Sequence, residues 1–140
     1  MEKIDRFNVR VYGLLIHQNA ILVLEEYYVG EILYKFPGGG LDFGEGIIDC
    51  LKRELREELN LELKHAEHFY IQEEFVRSKF RENEQLLTLY YKIQVENINA
   101  LTILEPSIQS LKWIPLSEIK PTHLNLPVDQ TVIKLLLKDM

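Results

Sequence analysis

Three glutamates, Glu54, Glu57 and Glu58, stand at i, i+3 and i+4 in a stretch that reads as helix from Ile47 to Leu59. At about 100° per residue, Ile47, Leu51, Leu55 and Leu59 make one apolar stripe, with Glu58 inside its arc and Glu54 on its edge. Carboxylates so placed repel one another, by about a few tenths of a kcal/mol per pair in water and by more when partly buried. The cluster therefore calls for positive charge. A hard divalent cation such as Mg²⁺, which takes oxygen ligands beside substrate phosphates, would supply it. Arg53 and Arg56 are the alternative source.

A glycine-rich segment leads into this helix: Phe36-Pro37-Gly38-Gly39-Gly40, then Gly44-Glu45-Gly46. Pro37 fixes one φ, and the glycines permit backbone angles and close approaches that a Cβ would forbid, so a loop here can turn amides and carbonyls toward a ligand. At the far end Asn60 occupies the place where a left-handed residue would stop the helix.

Taken together, the run is Gly39, five residues, Glu45, seven residues, Arg53-Glu54-Leu55, one residue, Glu57-Glu58, one residue, then Asn60-Leu61. It resembles the Nudix box of the Nudix hydrolases. The one departure is Asn60, where that pattern has glycine, and asparagine is the next-best residue for a left-handed position. So many fixed positions over one span are far more specific than a lone glycine motif. The resemblance implies an α/β/α sandwich, of the α/β (α+β) class, with a mixed β-sheet packed between helices. It also implies Mg²⁺- or Mn²⁺-dependent hydrolysis of a diphosphate linkage. Carried over residue by residue, Glu54, Glu57 and Glu58 are the expected metal ligands, with the Gly38 carbonyl as a backbone ligand. Arg53 is expected to orient the glutamates and Glu45 to tie the loop to the helix. General-base duty falls to Glu57 or Glu54, and Glu105 is a candidate for the extra acid that some members carry on a late loop. Arg10 and Lys35, with Gly39 and Gly40 of the loop, are the expected substrate contacts.

The tyrosine or proline expected roughly fifteen to seventeen residues past the box in some Nudix subclasses is absent, and Val76 and Arg77 stand there instead. The expected substrate is thus a compact nucleoside diphosphate derivative, a triphosphate or a nucleotide sugar, cut to release a nucleoside monophosphate. The alternative is a catalytically silent module that binds a nucleotide or ADP-ribose.

The chain of 140 residues, 46% hydrophobic and 27% charged, is expected to form one domain, 1–140, with a substantial core. A net charge of -6 argues against long nucleic acid as partner and leaves a small nucleotide-type substrate, with a homodimer open. The single cysteine, Cys50, allows no disulfide within the chain and reads as a small buried hydrophobe. No leader and no apolar run of the ~18 residues needed for a membrane span is seen, so the expected location is the cytoplasm.

The elements that would position the box follow from periodicity. Arg6 to Ile16, Ile21 to Leu24, Ile32 to Phe36, Phe69 to Val76, Leu86 to Val95 and Leu111 to Pro115 read as strands. Arg77 to Gln85 is a long polar connection between two of them. Pro127 to Leu137 reads as a closing helix with Val128, Val132, Leu135 and Leu136 on its apolar side and Asp129 at its positive end. In the pairs Tyr27-Tyr28 and Tyr90-Tyr91, alternation sends one ring inward and one outward.

Overall fold

The computed structural model describes residues 3–140. Strands β1 (Arg6–His17), β2 (Ala20–Tyr28), β3 (Glu31–Lys35) and β4 (Gly38–Gly40) precede helix α1 (Ile47–Leu59). Strands β5 (Leu63–Ile71), β6 (Val76–Arg77), β7 (Glu84–Val95) and β8 (Ile108–Pro115) follow, and α2 (Pro127–Lys138) closes the chain. The principal strand order is β3-β2-β1-β7-β5, with β4 on β1, β6 on β7 and β8 on β2. The sheet is mixed, because β1 runs parallel to β7 from Arg6↔Glu84 to Leu15↔Ile93 while its pairings with β2 and β4 are antiparallel.

Period-two alternation sorts the strands' side chains onto two faces. Val11, Leu15, Leu22 and Leu24 pack with Cys50, Leu51, Leu55 and Leu59 of α1. Tyr12, Leu14, Ile21 and Val23 pack with Val128, Val132, Ile133 and Leu136 of α2. The result is the α/β/α sandwich with a mixed sheet that the box resemblance implies. Among the described residues no helix is long and apolar enough to cross a membrane.

Helix α1 ends where expected: Asn60 adopts φ 59°, ψ 34°, and its side-chain amide donates to the Ala100 carbonyl at 3.1 Å. The chain then turns directly into β5, whose first half the periodicity missed. Lys64, His65, Glu67 and His68 are all exposed there, so no apolar alternation marks the strand, and its pairing with β7 holds it. The strand expected at Phe69 to Val76 is thus a correction: β5 stops at Ile71, and Val76 opens the separate strand β6. The glycine run is likewise no free loop, since Gly38, Gly39 and Gly40 pair with Tyr12, Val11 and Arg10. Tyr27 and Tyr28 are both exposed, at 53% and 47%, because the β2–β3 hairpin runs past the edge of the core. Tyr90 and Tyr91 do divide, Tyr90 being fully buried and Tyr91 half-buried.

Candidate functional site

The β1–β2 pairing is confined to the hairpin end, at Ile16↔Ile21 and His17↔Ala20, while β4 takes the edge of β1 at Arg10 to Tyr12. The sheet splays between them. Into that gap project Glu26 from β2, Lys35 from β3 and, from α1, Glu54 and Glu58.

Gly38 lies at φ +140°, where an added Cβ would meet the Val11 carbonyl oxygen at 2.1 Å; at Gly39 it would meet the Glu54 carboxyl at 2.6 Å. The two glycines let α1 bring its carboxylates onto the backbone of β4. The Gly38 amide donates to Glu58 Oε1 at 2.9 Å. Burial pushes the Glu58 carboxyl up to about 7, against the opposing pull of Lys35 and the Gly38 amide. Burial also raises Glu54, partly offset by Arg53.

Arg53 acts as a clamp. Its guanidinium donates to both oxygens of Glu45 at 3.0 and 2.7 Å, to the Gly40 carbonyl at 2.8 Å, to Glu54 at 2.9 Å and to Glu57 at 3.2 Å. A planar fork with five donors suits this sharing, which a lysine could not reproduce. The hydrogen bonds from Arg53 hold the Glu45 carboxyl down at about 2.

Lys35 is the other cation. Its ammonium lies 3.2 Å from Glu26 Oε1, 3.4 Å from the Gly38 carbonyl oxygen and 3.7 Å from Glu58 Oε2, and Lys35 is buried. Burial alone would lower its pKa, but Glu58, Tyr12 and Glu26 together more than reverse this, so it stays charged. Glu105 reaches the cluster indirectly: its carboxylate accepts from the Ser107 amide at 3.4 Å and lies 3.2 Å from Ser107 Oγ, which also lies 2.7 Å from Glu26 Oε2. With one hydroxyl hydrogen to share, the shorter contact to Glu26 takes it.

Among the described residues, no three acidic, histidine or cysteine side chains already stand together as a set of metal ligands. Arg53 bridges Glu54 and Glu57, and Lys35 bridges Glu26 and Glu58. The donor chemistry nonetheless fits a hard divalent cation, since carboxylates of Glu54, Glu57 and Glu58 and the Gly38 carbonyl are all oxygen ligands. The Lys35 ammonium, resting against Glu58 and the Gly38 carbonyl, is a stand-in cation at that place.

A cavity of about 320 Å³ opens beside the cluster. Arg6, Arg10, Lys35, Lys79 and Arg81 line it, with Asn8, Tyr12, Tyr28 and Phe80. Arg10 donates to the Tyr12 hydroxyl at 2.6 Å. The polar connection beyond β6 is a hairpin tip that walls this cavity. Its Phe80 meets the Tyr28 ring edge-on at 4.7 Å and its Lys79 pairs with Glu31 at 2.6 Å. A second cavity of about 330 Å³ adjoins it, sharing Lys79, Leu86, Thr88 and Leu126 and reaching Tyr90, Asn125 and Val128.

Asp129 stands in the first turn of α2, as expected, but its side chain turns inward. It is fully buried and accepts a hydrogen bond from the Tyr90 hydroxyl while its other oxygen has no partner. Its spacing from Val132, Ile133 and Leu136 was the available signal, since it shares their inward stripe. Burial pushes its carboxyl up to about 6 from 3.8, and the Tyr90 hydrogen bond offsets this only in part. The protonated form is thus favoured on folding, and its stabilisation, complete below pH 3.8, is lost as pH rises through about 6. Stability measured by denaturation should therefore fall across that window in the wild type relative to Asp129→Asn. Parallel curves for the two proteins would show that folding does not raise the Asp129 pKa.

The fold and this cluster together define a class. The chain belongs to the Nudix family: the NUDIX domain model matches residues 6–136. Among curated proteins it is 32% identical over 73 residues to an RNA pyrophosphohydrolase of Psychrobacter cryohalolentis, a match spanning 52% of this chain and 42% of that protein. The chain thus matches less than half the length of that relative. Among solved structures it is similar to a MutT NUDIX hydrolase from Burkholderia pseudomallei, with a TM-score of 0.77, 16% identity, and 94% and 98% of the two chains covered. It is also similar to the E. coli ORF135 protein, with a TM-score of 0.78, 18% identity, and 95% and 90% covered.

Proposed function

We propose that this protein hydrolyses a diphosphate linkage in a small nucleoside diphosphate derivative, a triphosphate or a nucleotide sugar, releasing a nucleoside monophosphate with Mg²⁺ or Mn²⁺ as cofactor. The observation that carries the reading is the juxtaposition of an oxygen-ligand cluster on α1 and β4 with a cavity lined by five basic side chains. Glu54, Glu57, Glu58 and the Gly38 carbonyl would hold the cation. When bound, Mg²⁺ supplies neutralisation of phosphoryl charge and a lowered pKa for the attacking water.

The chain's own residues do the remainder. Arg10 and Lys35, both on the cavity wall, bind the phosphates, with Arg6, Lys79 and Arg81 adding charge at its rim. Arg53 fixes the directions of Glu54 and Glu57, so that one of them takes the proton of the attacking water. Glu45, bound through both oxygens, keeps Arg53 from turning away. The acidic surface and the size of the cavity favour a compact substrate over a long polyanion.

The test is a panel of nucleoside triphosphates, nucleotide sugars and a 5′-triphosphorylated oligoribonucleotide, incubated with Mg²⁺ or Mn²⁺ in ¹⁸O-water. The oligoribonucleotide is included because the curated relative is an RNA pyrophosphohydrolase. Label in a phosphate-bearing product of a small nucleotide supports the reading. Turnover of the oligoribonucleotide alone transfers the substrate to RNA ends, and binding without turnover of any compound moves the protein to the sensor class.

A further inference from the structure

Lys35 touches both the ligand cluster and the cavity. Its ammonium donates to Glu26 at 3.2 Å and to the Gly38 carbonyl at 3.4 Å, and forms an ion pair with Glu58 at 3.7 Å. Two of these partners are the oxygens that the proposed function gives to a divalent cation. The third, Glu26, lies outside the box and is held in place by the Ser107 hydroxyl at 2.7 Å. The strand register explains the grouping. Lys35 pairs with Leu24, and Glu26, two residues further along β2, lies diagonally across on the same face. Glu26 is thus an anchor that belongs to Lys35 and not to the box.

We infer that Lys35 is a displaceable resident cation: its ammonium neutralises Glu58 and the Gly38 carbonyl while no metal is bound, and on metal entry it withdraws along Glu26 into the cavity. This rests on the metal-binding reading of the box given above. An ammonium and a divalent cation on the same two oxygens repel one another, and at about 4 Å this repulsion exceeds what the singly charged ammonium gains from one carboxylate, whereas the doubly charged ion at its shorter ligand distance gains more than it loses, so the ammonium is the one that yields. Lys35 need not leave the protein to make room. Its ammonium lies over the Tyr12 ring, 5.8 Å from the centroid, and Lys35 already lines the cavity wall. Withdrawal from Glu58 keeps the Glu26 ion pair and turns the charge toward the space where substrate phosphates would lie. Metal entry and phosphate binding are thereby linked through one side chain, and each should strengthen the other.

Two measurements test this without recourse to turnover. In isothermal titration with Mn²⁺, Lys35→Gln should bind the ion at least ~10-fold more tightly than the wild type, because the competitor is gone. In the wild-type protein, dimethylation of Lys35 by formaldehyde and cyanoborohydride, mapped by mass spectrometry, should speed up at least ~5-fold on addition of Mg²⁺, as the ammonium leaves Glu58 and the Gly38 carbonyl for the open cavity. Tighter Mn²⁺ binding together with faster labelling supports the displacement. Equal Mn²⁺ affinity in the two proteins overturns it and leaves the metal reading intact. Tighter binding with unchanged labelling overturns it as well, since Lys35 would then repel the ion from a fixed position. Absence of Mn²⁺ binding in the wild type itself sinks both readings. Should Lys35→Gln fail to fold, the labelling rate of the wild type decides alone.

Discussion

Glu57→Gln should lower kcat at least ~10²-fold while leaving the fold in place. The Glu57 side chain is 58% exposed and its ion-pair partner is Arg53, which keeps its contacts to Glu45, Glu54 and the Gly40 carbonyl when the charge at 57 is removed. Substitutions at such positions change stability by within about 0.5 kcal/mol. Glutamine preserves the shape but can neither ligate a cation as an anion nor accept a proton at neutral pH. The check is steady-state kinetics on a substrate identified by the panel above, alongside a thermal melt. Near-wild-type turnover would remove Glu57 from both the ligand set and the general-base role.

Gly38→Ala should destabilise the protein by at least ~3 kcal/mol, a large part of the ~5–15 kcal/mol that holds a domain of this size together. The Cβ would sit 2.1 Å from the Val11 carbonyl oxygen and 2.8 Å from the Tyr12 Cα, and backbone atoms of a paired strand cannot move aside. The φ of +140° adds strain of its own. Relief requires breaking the β1–β4 pairing, and with it the amide that Glu58 accepts from. Gly40→Ala is the control, since its Cβ would meet only Arg10 and Asn8 side-chain atoms at 3.7 and 3.9 Å. Its cost should stay below about 1 kcal/mol. Denaturant unfolding of both variants measures the difference. Equal costs would mean that the glycines are there for flexibility and not for volume.

The box was legible because its signals are local. A four-residue apolar spacing marks α1, and Asn60 marks its end at the position where the left-handed turn occurs. β1 and β2 were legible for a similar reason, as Leu14 to Ile16 and Ile21 to Leu24 are continuous apolar runs, which is what strands covered on both faces require. The features that could not be read depend on partners distant in the chain. Gly38 to Gly40 have no strand propensity, and β1 makes them a strand. Lys64, His65, Glu67 and His68 would suit a loop, and pairing with β7 fixes them as β5. Lys35 was expected near the site, but its partner Glu26 was not: a charge on a strand is sent to solvent by a pattern reading, and the splay of the sheet instead places the two together, buried and paired. Asp129 escaped because a buried aspartate breaks the apolar rule that defines its own stripe.

The cluster and the cavity draw on different parts of the chain. Gly38, Arg53 and the box glutamates are supplied by β4 and α1, whereas one wall of the cavity is Ser78 to Arg81 with Glu84, Leu86 and Thr88, all on or beside β7. That wall meets the first half of the chain at its outer edge through the Phe80–Tyr28 and Lys79–Glu31 contacts, both near the surface. Residues at the hairpin tip can therefore be exchanged without touching any hydrogen bond of Arg53 or Glu58. Under the proposed function this makes the molecule, for an engineer, two separable inventories, one assigned to cutting and one to choosing, and a library confined to 78–81 should vary the choice while the box residues stay fixed.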